Sequence, residues 1–334
     1  MRRSAVSLAD VASLDTLARA FWRAAKGKGH RSDVQRFRSN LAAELARLGE
    51  EIRAGTVPVG QLHTFRIRDP KPRVIHAPCF RERVLHHALM DHVGPVLDRS
   101  LVDDSFACRK GKGTLAAVHR AQHHVRRHAW FVKMDIRSYF ASIDHGVLRS
   151  MLERKLRDRG VLALCGRIID SHHASPGRGV PIGSLTSQYC ANLYLSPLDR
   201  MLLERLRVRG MVRYMDDVVA WCETKSEAKA VLTAVEAFVV TTLRLELRPA
   251  QIQRSAHGVS FLGFRVLPGT LRLTRRRRRR YTRARQRLEL AYRAGLIDGE
   301  TLQSGYDGAL ATTAHADARG FRAADLRLRP PVDA

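Results

Sequence analysis

The sequence predicts an α+β protein, on three observations. The N-terminal segment carries apolar residues at helical spacing. The middle carries short apolar runs that end or break at carboxylates, and the C-terminal part is basic and helical in pattern. With 334 residues and 45% apolar content, the chain is long enough for about two domains and a sizeable core.

Taken in order, residues 8–55 read as helical. Leu41, Leu45, Leu48 and Ile52 recur at helical spacing and Gly55 closes the segment. Residues 61–78 alternate apolar and polar around Asp69-Pro70-Lys71-Pro72-Arg73, which predicts a β-hairpin with a basic turn. Residues 80–98 form a second helical stretch. Residues 129–136 form a short apolar run ending in Asp135, as a buried strand would. The turn at 179–184 opens a long helical pattern through Leu206. Residues 211–221 are two apolar runs interrupted by Asp216 and Asp217. Thr224 and Glu227 then form a capping box for a helix with Val231, Leu232, Val235, Phe238 and Val239 on its apolar face. Residues 258–267 read as a strand pair. The composition shifts at 272, six consecutive arginines follow from Arg275 to Arg280, and residues 327–334 read as a frayed tail.

Charge narrows the partners. Lys plus Arg number 59 against 32 for Asp plus Glu, a net +27, and only nine of the cations are Lys. So basic a chain faces a polyanion, and the planar fork of Arg suits phosphate. No apolar run reaches the roughly 18 residues of a membrane span, and no signal peptide is evident, so a cytoplasmic protein is expected. The five cysteines are scattered, which excludes CxxC sites and argues against a disulfide framework. The His-His pairs have poor metal-ligand spacing.

Asp216 and Asp217 follow Tyr214 between apolar runs. An acidic turn is one reading. The strand resumes at once through Val218, Val219 and Trp221, and buried acids need a cation. Asp135 adds a third carboxylate from a separate strand end. Carboxylates so arranged can hold two Mg²⁺ ions roughly 3.5–4 Å apart, a cation that takes carboxylate, carbonyl and water oxygens.

Four stretches, FVKMDIRSYFASIDH, GVPIGSLTSQYCANLYL, RYMDDVVAW and GVSFLGFRV, resemble in order and spacing the A, B and C motifs and primer grip of reverse transcriptases. DPKPRVI and DDSFACRKGKGT resemble the fingers segments, and the resemblance covers about residues 60–325. It implies a right-hand polymerase: an N-terminal helical segment (1–60), fingers (61–128), a palm with an antiparallel sheet packed on helices (129–268), and a short basic helical thumb and tail (269–334). Within the family, Ile182 and Gln188 in IGSLTSQYCAN are similar to the reverse transcriptases of bacterial diversity-generating retroelements, where most others carry Gln and Pro.

The resemblance implies roles. Asp135 and Asp216 become the principal metal ligands, Asp217 a supporting one, and the Ile136 carbonyl completes the site. Phe140 falls at the steric gate that favours dNTP over rNTP; it is otherwise a core aromatic. Lys71 and Arg73 grip the triphosphate, or are solvated turn charges. Ile182, Gly183, Gln188 and Tyr214 line the nucleotide site. Arg109 and Lys112 are expected on nucleic-acid phosphate, although RKGKGT is not a phosphate-binding P-loop. The run of Arg275, Arg276, Arg277, Arg278, Arg279 and Arg280 either holds template–primer or is a solvated tract. No proton donor to pyrophosphate is assigned, because Arg248 hardly deprotonates. The implied activity is RNA-directed DNA synthesis from a template-repeat RNA, error-prone at adenines. The implied partners are the template RNA, the RNA/cDNA duplex and a small basic oligomeric accessory variability protein. A retron-like, intron-derived or phage-defence reverse transcriptase is the alternative. A non-catalytic RNA-binding scaffold has no reason to keep the three acids.

Overall fold

A computed structural model describes residues 3–68 and 72–331; Lys71 lies outside the described residues. The N-terminal helical segment is broken into α1 (Leu8–Val11), α2 (Leu14–Ala25), α3 (Ser32–Ser39) and α4 (Leu41–Ala54). The Ser13 hydroxyl accepts the Thr16 N–H and so starts α2 afresh. Gly55 ends α4 at φ +71°, a left-handed cap that glycine adopts without strain. Leu45, Leu48 and Ile52 are buried as their spacing predicts. Phe21 and Phe37 stack, and Phe80 meets both edge-on, which fastens these helices to α5 (Phe80–Asp98).

The predicted hairpin forms as β1 (Leu62–Arg68) and β2 (Pro72–Pro78), in register from Leu62↔Pro78 to Arg68↔Pro72. After α6 (Thr114–Arg127) comes the central sheet, built from β3 (Trp130–Asp135), β4 (Gly210–Tyr214), β5 (Asp217–Cys222) and β6 (Gln251–Arg254). Its order is β4-β5-β3-β6 and every pairing is antiparallel. Between β3 and β4 lie α7 (Tyr139–Ser142), α8 (His145–Glu153), α9 (Arg159–Asp170), α10 (Leu185–Tyr194) and α11 (Ser196–Arg200). The long helical pattern expected through Leu206 is thus interrupted: Pro197 opens a new helix, which ends in a π turn at Met201–Arg205.

Strand alternation decides which residue meets which layer. Val132, Met134, Val218 and Ala220 face the main core. That core also holds Val231, Val235 and Val239 of α12 (Lys225–Thr241). The Thr224 hydroxyl caps α12 by accepting the Glu227 N–H, while the Glu227 carboxylate reaches the Glu223 N–H. On the opposite sheet face, Phe131, Val219 and Trp221 pack with Ala117, Val118 and Ala121 of α6. The same layer takes in a second sheet of β7 (Val259–Phe261), β8 (Phe264–Val266) and β9 (Leu271–Leu273).

The basic C-terminal region forms α13 (Arg275–Arg293), α14 (Gly299–Ala311) and α15 (Arg319–Leu328). The arginine run is therefore helical, and helix reaches into the segment expected to fray. Arg285, fully buried, holds this unit by pairing with Glu289 and Asp325. Among the described residues no helix is long and apolar enough to cross a membrane.

Candidate active site

Tyr214 pairs with Asp217, so Met215 and Asp216 alone make the turn between β4 and β5. Met215 has φ +58°, a left-handed conformation that costs a non-glycine residue roughly 1–3 kcal/mol. A fully buried Arg213 braces it. Its guanidinium binds both oxygens of buried Asp199 at 2.7 Å and donates to the Asn192 side chain and the Met215 carbonyl, each at 3.2 Å. Bidentate pairing of this kind fixes geometry as well as charge.

The turn delivers Asp216 and Asp217 beside Asp135, which sits directly opposite Asp217 in the β3–β5 ladder. Burial raises the Asp216 carboxyl above the usual range and Asp135 adds repulsion, against the pull of Arg73 and Arg248. Burial pushes Asp217 up to about 6, with Lys133 opposing the shift. Asp217 Oδ2 accepts from Lys133 Nζ at 3.1 Å, while its buried Oδ1 has no hydrogen-bond partner among the described residues. Arg248 Nε stands 3.7 Å from Asp135.

The backbone orients a fourth oxygen. The Arg248 N–H binds the Asp135 carbonyl and the Arg137 N–H binds the Glu246 carbonyl, both at 2.8 Å, around the Ile136↔Leu247 bridge. A bridge flanked in this way leaves the Ile136 N–H and C=O pointing to the other edge, toward β5 and the acidic turn. Three carboxylates and a carbonyl are hard oxygen donors suited to Mg²⁺. The under-compensated charge on Asp216 and Asp217 and the unpartnered Oδ1 fit a cation. Among the described residues, no three His, Cys, Asp or Glu side chains form a metal cage by themselves. An open set is what Mg²⁺ uses when water and substrate phosphate complete its shell.

Of the nucleotide-site candidates, Arg73 lies within electrostatic reach of the acidic turn, and Ile182 and Gly183 lie against β2. The β1–β2 hairpin docks on the turn before α10: the His76 N–H donates to the Ile182 carbonyl at 2.8 Å. Gly183, at φ +116°, lies so close to β2 that an added Cβ would stand 2.7 Å from Ile75 Cγ2. Arg73, exposed on β2, is close enough to act on Asp216. Phe140 is half-buried against the core and meets Tyr139 edge-on. Gln188 is half-buried on α10. Tyr214 accepts the Thr114 hydroxyl at 3.3 Å.

The basic candidates divide. Arg109 binds the Asp98 carboxylate and the Val102 and Ser105 carbonyls at 2.6–2.9 Å, with its side chain 10% exposed. Lys112 binds the Asp103 carboxylate at 2.6 Å and lies over the Phe106 ring. Without nucleic acid bound, the donors of both residues brace their own loop. Within the arginine run, Arg277 stacks 4.3 Å over Phe264 and Arg278 lies 5.4 Å over Phe321. Arg275, Arg276, Arg279 and Arg280, with Arg283 and Arg287, line an open groove of about 780 Å³ opposite Arg68 of β1.

Sequence reasoning missed Lys133, Arg213, Arg68 and the extension of the groove to Arg283 and Arg287. Signals were present. Lys133 and Arg213 are cations inside apolar strands, and the arginines at 275, 279, 283 and 287 recur every fourth residue.

An antiparallel sheet with carboxylates at one end, a β-hairpin beside them and a basic helical C-terminal unit form the architecture of the right-hand polymerase fold. The family model described as reverse transcriptase (RNA-dependent DNA polymerase) matches residues 67–266, more than half of the chain, which belongs to that family. Protein YkfC of Escherichia coli (strain K12) is 25% identical over 182 residues, covering 50% of this chain and 47% of that protein. Group II intron-encoded protein LtrA of Lactococcus lactis is 23% identical over 153 residues, covering 44% of this chain and 26% of that protein. Among solved structures, apo telomerase from Candida tropicalis, truncated from its C-terminal domain, aligns with a TM-score of 0.47 at 13% identity, over 64% of this chain and 55% of that chain. The chain spans about half or less of the length of these curated relatives.

Proposed function

We propose that the protein is an RNA-directed DNA polymerase that extends a primer on an RNA template. One observation carries the reading: Asp135, Asp216 and Asp217 converge at one sheet end, within electrostatic reach of Arg73, in a family member whose thumb helix presents an arginine-lined groove. Bound there, two Mg²⁺ ions supply Lewis acidity for in-line phosphoryl transfer. Asp135, Asp216 and the Ile136 carbonyl would hold them, with Asp217 in support. Arg73 and Lys71 bind the triphosphate. Phe140 crowds the ribose 2′ position, and Ile182, Gly183, Gln188 and Tyr214 shape the space around the nascent pair. Arg68 and the groove arginines track the backbone of the template–primer.

The test is dNTP incorporation on a defined RNA template with and without Mg²⁺, beside Asp216→Asn. The substitution removes an anionic ligand without changing volume, and activity is expected to vanish while RNA binding persists. Activity within about tenfold of wild type, a barrier change of only ~1.4 kcal/mol, rejects the assignment.

The finer reading is copying of a template-repeat RNA with errors at adenines, for mutagenic retrohoming, alongside a small basic oligomeric accessory protein. Ile182 and Gln188 support it. An intron-derived reverse transcriptase is the second reading, favoured by the similarity to LtrA. Two near-identical repeats in the neighbouring DNA, differing where one has adenines, separate the two, as does sequencing of the cDNA.

A further inference from the structure

A lysine inside an apolar strand calls for a reason. Lys133 follows Val132 and precedes Met134, both buried in the main core, and its own side chain turns to the opposite sheet face, the face of Asp135. Lys133 pairs with Val219 across the ladder, and Asp217 lies one diagonal step away, within reach of a long side chain. Nζ is 3.1 Å from Asp217 Oδ2, donates to the Ser260 carbonyl at 2.6 Å, and stands 5.8 Å from the Phe261 ring centroid. A single ammonium therefore joins three elements: β3, the first residue of β5 after the acidic turn, and β7 of the second sheet.

We propose that Lys133 is a positioning residue of the polymerase reaction, fixing the β7–β8 hairpin against the acidic turn through Asp217; the proposal rests on the function proposed above. The geometry divides the labour among the carboxylates. Asp217 spends one oxygen on Lys133 and is held from swinging, while Asp135 and Asp216 stay on the side of Arg73 and Arg248. Lys133 lies on the hairpin side and Arg73 on the fingers side. Loss of the lysine consequently shifts the hairpin and whatever strand end rests on it, leaving the triphosphate grip in place. Reacting atoms must approach within about 3–3.5 Å, and a misplacement of about 1 Å can cost ~100-fold in rate.

The experiment measures primer extension on an RNA template by wild type, Lys133→Gln, Lys133→Arg, Asp217→Asn and the double variant Lys133→Gln with Asp217→Asn. Primer–template affinity and melting are followed alongside. K133Q is expected to lower kcat by ~10–100-fold, with KM for dNTP and duplex affinity within about twofold. K133R, which keeps the charge, is expected to recover most of that loss. The double variant is expected to be no slower than D217N alone, since both changes break one link. A purely structural lysine lowers melting without this kcat-specific, non-additive pattern. A K133Q kcat within about twofold of wild type, or losses that multiply in the double variant, overturns the proposal. If K133Q does not fold, K133R carries the test: a residual loss confined to kcat supports the link, and a rise in KM overturns it. An inactive wild type instead overturns the function on which the proposal rests.

Discussion

Replacing Arg275, Arg276, Arg279 and Arg280 together by Gln separates the two jobs that the arginine run performs. Those four line the groove with Arg283 and Arg287, whereas Arg277 and Arg278 are stacked on Phe264 and Phe321. If each groove arginine meets one phosphate, its loss removes ~0.7–0.9 from the slope of log affinity against log salt, and four losses remove ~2.8–3.6. Between 50 and 200 mM salt, that difference amounts to ~50–150-fold less loss of affinity for the variant than for wild type. Fluorescence anisotropy of a labelled RNA–DNA duplex across that range reads it directly. Unfolding does not mimic the effect. Arginines in a first helical turn oppose the helix dipole, and the Thr274 side chain makes no capping bond, so Gln there favours α13. The companion variant R277Q/R278Q is expected to keep the wild-type slope and to lose ~1–2 kcal/mol of stability with its two cation–π contacts. A quadruple variant with the wild-type slope, or a companion that flattens it equally, refutes the division.

Two further outcomes are expected. Ile182 contributes a carbonyl to the docked hairpin, and its side chain offers a base pair only shape. Ile182→Gln is expected to improve accuracy opposite template adenine by roughly two- to tenfold, the worth of one net hydrogen bond; equal error rates in deep-sequenced cDNA from two active enzymes count against it. His124 is buried against Trp221, neither ring nitrogen has a hydrogen-bond partner among the described residues, and burial beside Arg120 pulls its pKa down to about 3. The unfolded chain therefore binds more protons between about pH 6.5 and 3, and stability falls as pH falls through that window. From pH 7.5 to 5, His124 accounts for ~2 kcal/mol of the loss. His87, pulled to about 4 by burial, adds a separate share. Urea unfolding of His124→Phe at both pH values is expected to show a correspondingly smaller loss, and an unchanged difference rejects the assignment.

Much of the sheet was legible. A period-two pattern located β1–β2, two apolar runs around a pair of acids located β4–β5, and Asp135, Asp216 and Asp217 stood out because carboxylates are costly inside apolar strands. Helix breaks were less legible. Ser13 and the glycines at 27 and 29 interrupt a continuous apolar period only because the helices must turn to pack on α5. The intrachain partners of Arg109 and Lys112 were hidden for a related reason. A cation in a glycine-rich stretch looks available, and the nearness of Asp98 and Asp103 becomes visible only once the loop closes on itself.

What the sequence by itself determined is local: the strands that end in acids, the turn at 179–184, the cap at Thr224 and the net charge that calls for a polyanion. Those follow from backbone sterics, side-chain period and charge, which act within a few residues. Tertiary structure alone decided which charges are spent inside and which face outward. It placed Arg213 on Asp199, Lys133 on Asp217, and Arg277 and Arg278 on aromatic rings, and it set Arg68 across a groove from α13. The physical reason is that a cation's role depends on the nearest anion, ring or solvent within a few ångströms, and chain folding brings those partners from tens to hundreds of residues away.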